Sequence, residues 1–325
     1  MRIVFHGANA SSFHGGFAEI LGGSHEVLKL PDVLASDADR AAYSSADIIV
    51  GTKFDASLPV PPGLKLYHAP AAGYDAIDMA HLPPTTPVCN CFGHEQAIAE
   101  YVMSAILARH IPLADADRRL RQGDWTWWAG APERVHGEIA GKTIGLLGFG
   151  HIGKAIARRA KAFEMAVNVA NRSPVATSEL VDRAFTLDQL EAFCGSADFI
   201  VTSLPLEAST KGIVGKAALA AMRPDGVIIN VGRGPIIDEQ ALFDALEGKH
   251  IGGAIIDTWY VYPSPANPQP QPATLPFHTL PNLLMTPHMS GWTNGTITRR
   301  QKTIADNINR LANGQPLTNV VRAVA

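Results

Sequence analysis

The chain has 325 residues, 46% hydrophobic and 18% charged, which is globular material long enough for a large core and for two domains. A net charge of -3, with basic residues scattered along the chain, gives no electrostatic basis for nucleic acid or an anionic membrane as partner and points to a small molecule instead. Three cysteines, Cys89, Cys91 and Cys194, an odd number without zinc-ligand spacing, argue for a reducing compartment and read most simply as small buried side chains.

In chain order, the opening MRIVFHG is too short for a signal peptide or a membrane span, so a cytoplasmic protein is expected. The runs RIVF, EVLKL, ADIIVG and LKLYHA read as strands separated by helix- or loop-length segments, the order expected of parallel α/β layers. From Gln96 to Arg109 apolar residues fall on more than one face, as in a helix buried at a domain junction or a dimer interface. A second α/β run begins at KTIGLLGFG and continues through VNVA, DFIVTSLP, GVIINVG, IGGAIID and NLLMTPH. These six strand candidates describe a doubly wound sheet. Eight of the 23 prolines lie between Pro263 and Pro287, which predicts an exposed loop, either a plain connector or a wall beside a site.

The stretch TIGLLGFGHIGKAIARRAKAF places Gly148, Gly150 and Gly153 between a strand and a helix. The first glycine permits a tight turn, the second lets backbone approach a pyrophosphate, and the third lets helix and strand pack closely. Helix N-terminal amides then face the phosphates, so dinucleotide binding is expected. The next strand should end in an acid for the ribose hydroxyls, but VNVANRS ends in Asn171, Arg172 and Ser173. A carboxylate would repel a 2′-phosphate, whereas a neutral amide followed by a cation and a hydroxyl suits one. The expectation is NADP(H); in the alternative NAD(H) binds through Asn171 while Arg172 merely caps the strand in solvent.

Over essentially its whole length the sequence resembles the D-isomer-specific 2-hydroxyacid dehydrogenase family, in glyoxylate/hydroxypyruvate reductase-like form. The matching motifs are AAGYDAID at 71–78, IAEYVMSAIL at 98–107, GKTIGLLGFGHIG at 141–153, SLPLEAST at 203–210, INVGRGPIIDEQAL at 229–242 and TPHMSG at 286–291. The resemblance implies two Rossmann-like doubly wound α/β domains with parallel sheets and the active site in the cleft between them. It makes residues 1–95 with 293–325 the substrate-binding domain and 96–292 the dinucleotide-binding domain, and it implies a homodimer. Carried over by position, Arg233 binds the substrate carboxylate and polarises its carbonyl, a planar bidentate task, unless it is only a structural salt bridge. His288 is the general acid in reduction. Ala72 and Gly73 offer backbone N–H groups to the carboxylate. Asp257 lies near the nicotinamide carboxamide. The coenzyme is lined by His151 and Ile152 within the glycine loop, by Leu204, Pro205 and Thr210, by Val231 and Gly232, and by Ser290 and Gly291. In GDWTWWAG, Trp128 is the candidate to approach a neighbouring subunit's active site, with interface packing as the plainer reading.

One position departs from the family. The glutamate that pairs with the histidine is replaced by Tyr262, which can orient an imidazole but cannot hold its proton by charge. His288 is therefore expected to titrate near 6.5, with reduction weakening above that pH unless another acid such as Glu95 substitutes. Formate dehydrogenases of the same superfamily carry a neutral residue there, which makes formate chemistry an alternative. Their substrate-loop asparagine, however, aligns with His94, here either a substrate contact or a solvent-exposed side chain. A non-catalytic dinucleotide sensor, like the C-terminal-binding-protein corepressors, is the other alternative. The twelve histidines show no metal-ligand spacing. The reading is an NADPH-preferring reductase of small 2-oxo acids such as glyoxylate or hydroxypyruvate, giving the D-hydroxy acid; pocket shape rests with loops near Phe54, Tyr74, His94 and Tyr262.

Overall fold

Apolar runs from both ends of the chain meet in one sheet, and the middle of the chain builds another. In the computed structural model, which describes residues 1–130, 133–264 and 266–323, the chain divides into two compact units, Met1–His94 with Thr293–Ala325, and Glu95–Trp292.

In the first unit β1 (Arg2–His6), β2 (Glu26–Leu30), β3 (Ile48–Gly51), β4 (Leu66–His68) and β5 (Val88–Cys89) run parallel. The C-terminal strand Val320–Arg322 adds antiparallel to β5, giving the order C-terminal strand, β5, β4, β3, β1, β2. Alternate residues serve opposite faces. Ile3, Phe5, Ile48 and Val50 enter one core with Ile304, Ala305 and Ile308 of the helix Asn294–Ala312, while Val4, Ile49 and Tyr67 enter the other. Four strands of this sheet are legible as apolar runs. The two-residue β5 and the antiparallel C-terminal strand are too short and too polar to announce themselves, and the latter departs from the all-parallel expectation.

In the second unit β6 (Thr143–Leu147), β7 (Ala166–Asn171), β8 (Arg183–Thr186), β9 (Phe199–Thr202), β10 (Val227–Asn230), β11 (Gly253–Ile256) and β12 (Leu283–Met285) form one parallel sheet in the order β12-β11-β10-β9-β6-β7-β8. The order reverses between β6 and β9, so a crevice opens beyond their carboxyl ends, where doubly wound sheets bind ligands. The sequence shows six of these strands. The seventh, β8, is an edge strand of sequence RAFT with its first residues exposed, so it lacks the apolar run of a central strand.

The helix Glu95–His110 buries Ala97, Ile98, Ala99, Val102, Met103, Ala105 and Ile106, and packs on the helix His151–Ala162 of the same unit. Its apolar residues on several faces are thus explained within one unit. The proline-rich stretch 263–287 is not merely an exposed loop. Phe277 is buried against Phe243, Trp259 and Tyr260, Ala273 is buried too, and β12 lies inside the stretch; residue 265 is outside the described residues. All three cysteines are buried. Among the described residues no helix is long and apolar enough to cross a membrane.

Candidate active site and coenzyme loop

The glycine loop follows β6. Gly148 has φ +101°, a conformation that L side chains avoid, and its N–H donates to Ala170 O on β7 at 2.8 Å. A Cβ on Gly153 would stand 2.4 Å from Gly148 O, so the helix His151–Ala162 starts as close to the strand as backbone allows. That helix has Gly150 at its N-cap, no side-chain cap and no acidic residue in its first turn. Its leading amides and the positive end of its dipole therefore suit an anion. These features fit the pyrophosphate of a dinucleotide.

At the end of β7, Asn171 Oδ1 accepts from Phe149 N–H at 3.3 Å, and its Nδ2 donates to Ser173 O at 2.9 Å. Arg172, expected either to offer a cation to a 2′-phosphate or to cap the strand in solvent, is exposed and donates to the Glu207 carboxylate at 3.0 Å. Beyond β9, Leu204 is buried and Thr210 Oγ1 donates to Pro205 O at 2.7 Å. Beyond β10, Asn230 shapes the turn that carries Val231, Gly232 and Arg233. Its Oδ1 accepts from Thr202 Oγ1 at 2.7 Å and Gly232 N–H at 3.1 Å, and its Nδ2 donates to Arg233 O at 3.0 Å.

The loop after β12 is organised by Asp257, which directly follows β11 and is fully buried. Oδ1 accepts from the Thr286 hydroxyl at 2.6 Å and Met289 N–H at 2.9 Å, and Oδ2 accepts from Ser290 N–H at 3.0 Å. Because Thr286 gives its one hydrogen to Asp257, Tyr101, at 2.7 Å from Thr286 Oγ1, is the donor of that pair. Trp259 Nε1 donates to Thr286 O at 2.8 Å. His288 sits inside this clamp with φ +58°, a conformation that costs a non-glycine residue about 1 kcal/mol or more and persists only where neighbours enforce it. Both oxygens of Asp257 thus hold the catalytic-loop candidate, a task its assignment near the carboxamide did not anticipate.

Tyr262 oxygen accepts from Trp259 N–H at 3.1 Å and lies 2.9 Å from His288 Nδ1. Burial raises the phenol above its ordinary 10.0, against the opposing pull of the Trp259 N–H and of Arg233, so it stays protonated. Its hydrogen then points to Nδ1 of a neutral His288, leaving the remaining proton on Nε2. Burial of the His288 ring lowers its pKa below 6.5; the Asp257 charge opposes this and the Arg233 charge adds to it. The sequence expectation of a value near 6.5 is too high, because loss of the partnering carboxylate is joined by desolvation.

Arg233, Tyr262, Asp257 and His288 are thus gathered in the Glu95–Trp292 unit, whereas Ala72, Gly73 and His94 belong to the other. Ala72 O accepts from Asn90 Nδ2 at 2.7 Å, which pins that loop. Trp128 is exposed, in an arm braced by Arg119 with Asp115 and Asp124 and by Trp127 Nε1 with Asp115 at 2.9 Å. Tyr101, Glu207 and Thr286 lie within the quoted motifs, but the motifs do not reveal their roles, which, like that of Trp259, depend on contacts with other segments.

Fold, glycine loop and an Arg–His pair beside a parallel-sheet crevice define a dinucleotide-dependent oxidoreductase. Residues 103–290 match the family described as D-isomer specific 2-hydroxyacid dehydrogenase, NAD binding domain. The chain is 30% identical over 302 residues to glyoxylate/hydroxypyruvate reductase B from Enterobacter sp. (strain 638), covering 90% of this chain and 88% of that protein. It is 33% identical over 230 residues to D-3-phosphoglycerate dehydrogenase from Methanocaldococcus jannaschii, spanning 69% of this chain but only 41% of that longer relative. Among solved structures it resembles the NADPH-dependent glyoxylate/hydroxypyruvate reductase from Sinorhizobium meliloti in complex with NADP and malonate, with TM-score 0.76, 25% identity and coverage of 98% and 96%. It also resembles an acyclic imino acid reductase in complex with NADPH and D-Arg, with TM-score 0.77, 26% identity and coverage of 99% and 100%. The chain belongs to the D-isomer-specific 2-hydroxyacid dehydrogenase family and is an NAD(P)-dependent oxidoreductase.

Proposed function

We propose that the protein reduces a small 2-oxo acid, such as glyoxylate or hydroxypyruvate, to the D-2-hydroxy acid with a preference for NADPH. The observation that carries this reading is His288 oriented by the Tyr262 oxygen 2.9 Å from its Nδ1, with Arg233 on the turn after β10 of the same sheet. The glycine loop, the amides of His151 and Ile152, Asn171, Arg172 and Ser173 would hold the coenzyme, which supplies the hydride when bound. Arg233 would grip the substrate carboxylate and draw charge from the carbonyl, with the backbone of Ala72 and Gly73 and the side chain of His94 as further contacts. His288, protonated, would be held by its Nδ1–H donating to the Tyr262 oxygen and would give its Nε2 proton to the carbonyl oxygen. A homodimer belongs to the same reading, supported by the exposed Leu113, Leu120, Trp125 and Trp128. The three cysteines, buried and unbridged, suit a reducing compartment such as the cytoplasm.

A second substrate class has one observation in its favour, the charge-free partner of His288. Hydride addition to a ketone leaves an alkoxide that must take a proton, whereas addition to a protonated imine gives a neutral amine directly. A site with a weakly basic histidine suits the latter, and an imino acid reductase is among the similar structures. The test is the initial rate with glyoxylate and hydroxypyruvate, with and without added methylamine, across pH. Turnover without amine that declines as pH rises supports the 2-oxo acid; turnover that requires amine and holds across the same range moves the assignment to imines.

A further inference from the structure

We propose that Glu207 sets the choice between NAD(H) and NADP(H) by occupying Arg172; the assignment rests on the coenzyme reading above. The sheet order β9-β6-β7 puts the glycine loop, which follows β6, between two flanking strand ends. Arg172 follows β7 directly and Glu207 lies in the turn after β9, so their 3.0 Å ion pair joins the segments on either side of the loop. In doubly wound coenzyme sites the residue at the end of the second strand meets the adenosine ribose, and a cation there accommodates a 2′-phosphate. Here that cation already has a carboxylate on it.

The turn fixes the backbone from which the carboxylate projects. Glu207 N–H donates to Thr210 Oγ1 at 2.8 Å, Thr210 N–H donates to Glu207 O at 3.0 Å, and Thr210 Oγ1 donates on to Pro205 O. Thr210 is itself buried, so the turn keeps Glu207 facing the end of β7. Arg172 with Glu207 presents no net charge to the ribose, while Arg172 alone would present one positive charge. A 2′-phosphate must either break the pair or sit beside the carboxylate; a 2′-hydroxyl can accept the pair as it stands and donate to it. Glu207 therefore keeps NADH within reach of a site that Arg172 alone would commit to NADPH. Both side chains are solvent-accessible, which limits the effect to about ten-fold.

The experiment is equilibrium binding of NADPH and of NADH, read by nicotinamide fluorescence without any 2-oxo acid, for wild type, Glu207→Gln, Arg172→Ala and the double variant. The expected result is an NADPH Kd about ten-fold lower in Glu207→Gln, with NADH within about two-fold of wild type or weaker, and no gain from Glu207→Gln when Arg172 is absent. An unchanged NADPH Kd in Glu207→Gln, or an equal gain in the Arg172→Ala background, overturns the assignment while leaving the coenzyme reading standing. Failure of the wild type to bind either coenzyme overturns both.

Discussion

At His288 the partner of Nδ1 is a phenol and not a carboxylate, and the difference is one of charge rather than geometry. Tyr262 satisfies Nδ1 in both protonation states, by donating to neutral imidazole and by accepting from imidazolium, so the ring stays oriented while its proton is held less firmly. The acid form is the one that can protonate an alkoxide. With the pKa lowered below 6.5, that form is lost as pH rises through the lowered value, and 2-oxo acid reduction declines with it. Tyr262→Glu places a carboxylate beside Nδ1 and is expected to move the midpoint of the kcat/KM profile upward by about one pH unit or more. An unmoved midpoint would mean that His288 is not the group being titrated. The substitution at 262 was readable from the sequence, and so was its sign. The extra lowering was not, because desolvation of the ring depends on what the fold packs around it.

Elements were legible where one segment carries its own signal. The glycine loop is local, and its expected features, a positive φ at Gly148 and backbone contact at Gly153, are those of the structure. The strand β8 and the strand Val320–Arg322 owe their existence to neighbours with free edges rather than to apolar runs, so pattern alone missed them. The stretch 263–287 misled through composition: its prolines argue against a long helix, yet they do not keep Phe277, in the short 3-10 turn Phe277–Thr279, from the core. Phe277→Ala is expected to cost about 3–5 kcal/mol, measured by urea unfolding of the whole chain. A loss below about 1 kcal/mol would make the stretch the surface connector its prolines suggest. The Asp257 clamp was invisible for a different reason, since its partners Thr286, Met289 and Ser290 are brought to it only by pairing of β11 with β12.

Across the molecule, both α/β sheets could be anticipated, but what ties the chain's last helix to its first sheet could not. His68 on β4 is fully buried, with Nδ1–H donating to Ala69 O at 3.2 Å and Nε2 accepting from Asn307 Nδ2 at 3.0 Å. Asn307 also accepts from Thr318 N–H at 2.8 Å, so one neutral imidazole supports helix and C-terminal segment together. Desolvation, opposed by the Ala69 bond, lowers His68 from 6.5 to about 4. Between those values the unfolded chain binds the proton and the folded chain does not. Stability from this group is therefore complete above pH 6.5 and lost as pH falls toward 4, by about 3 kcal/mol. The pH dependence of the urea midpoint over that window should flatten in His68→Gln; an equal slope in both proteins would assign the acid sensitivity elsewhere.

The central claim is that Arg233 and His288 act on a 2-oxo acid. Its most direct test is the rate of hydroxypyruvate reduction by NADPH, with the product's configuration determined, for wild type and Arg233→Ala. The expected result is D-glycerate from the wild type and a kcat/KM about 10²–10³-fold lower in Arg233→Ala, with NADPH binding retained. Formation of L-glycerate, or an Arg233→Ala variant as fast as wild type, would contradict it.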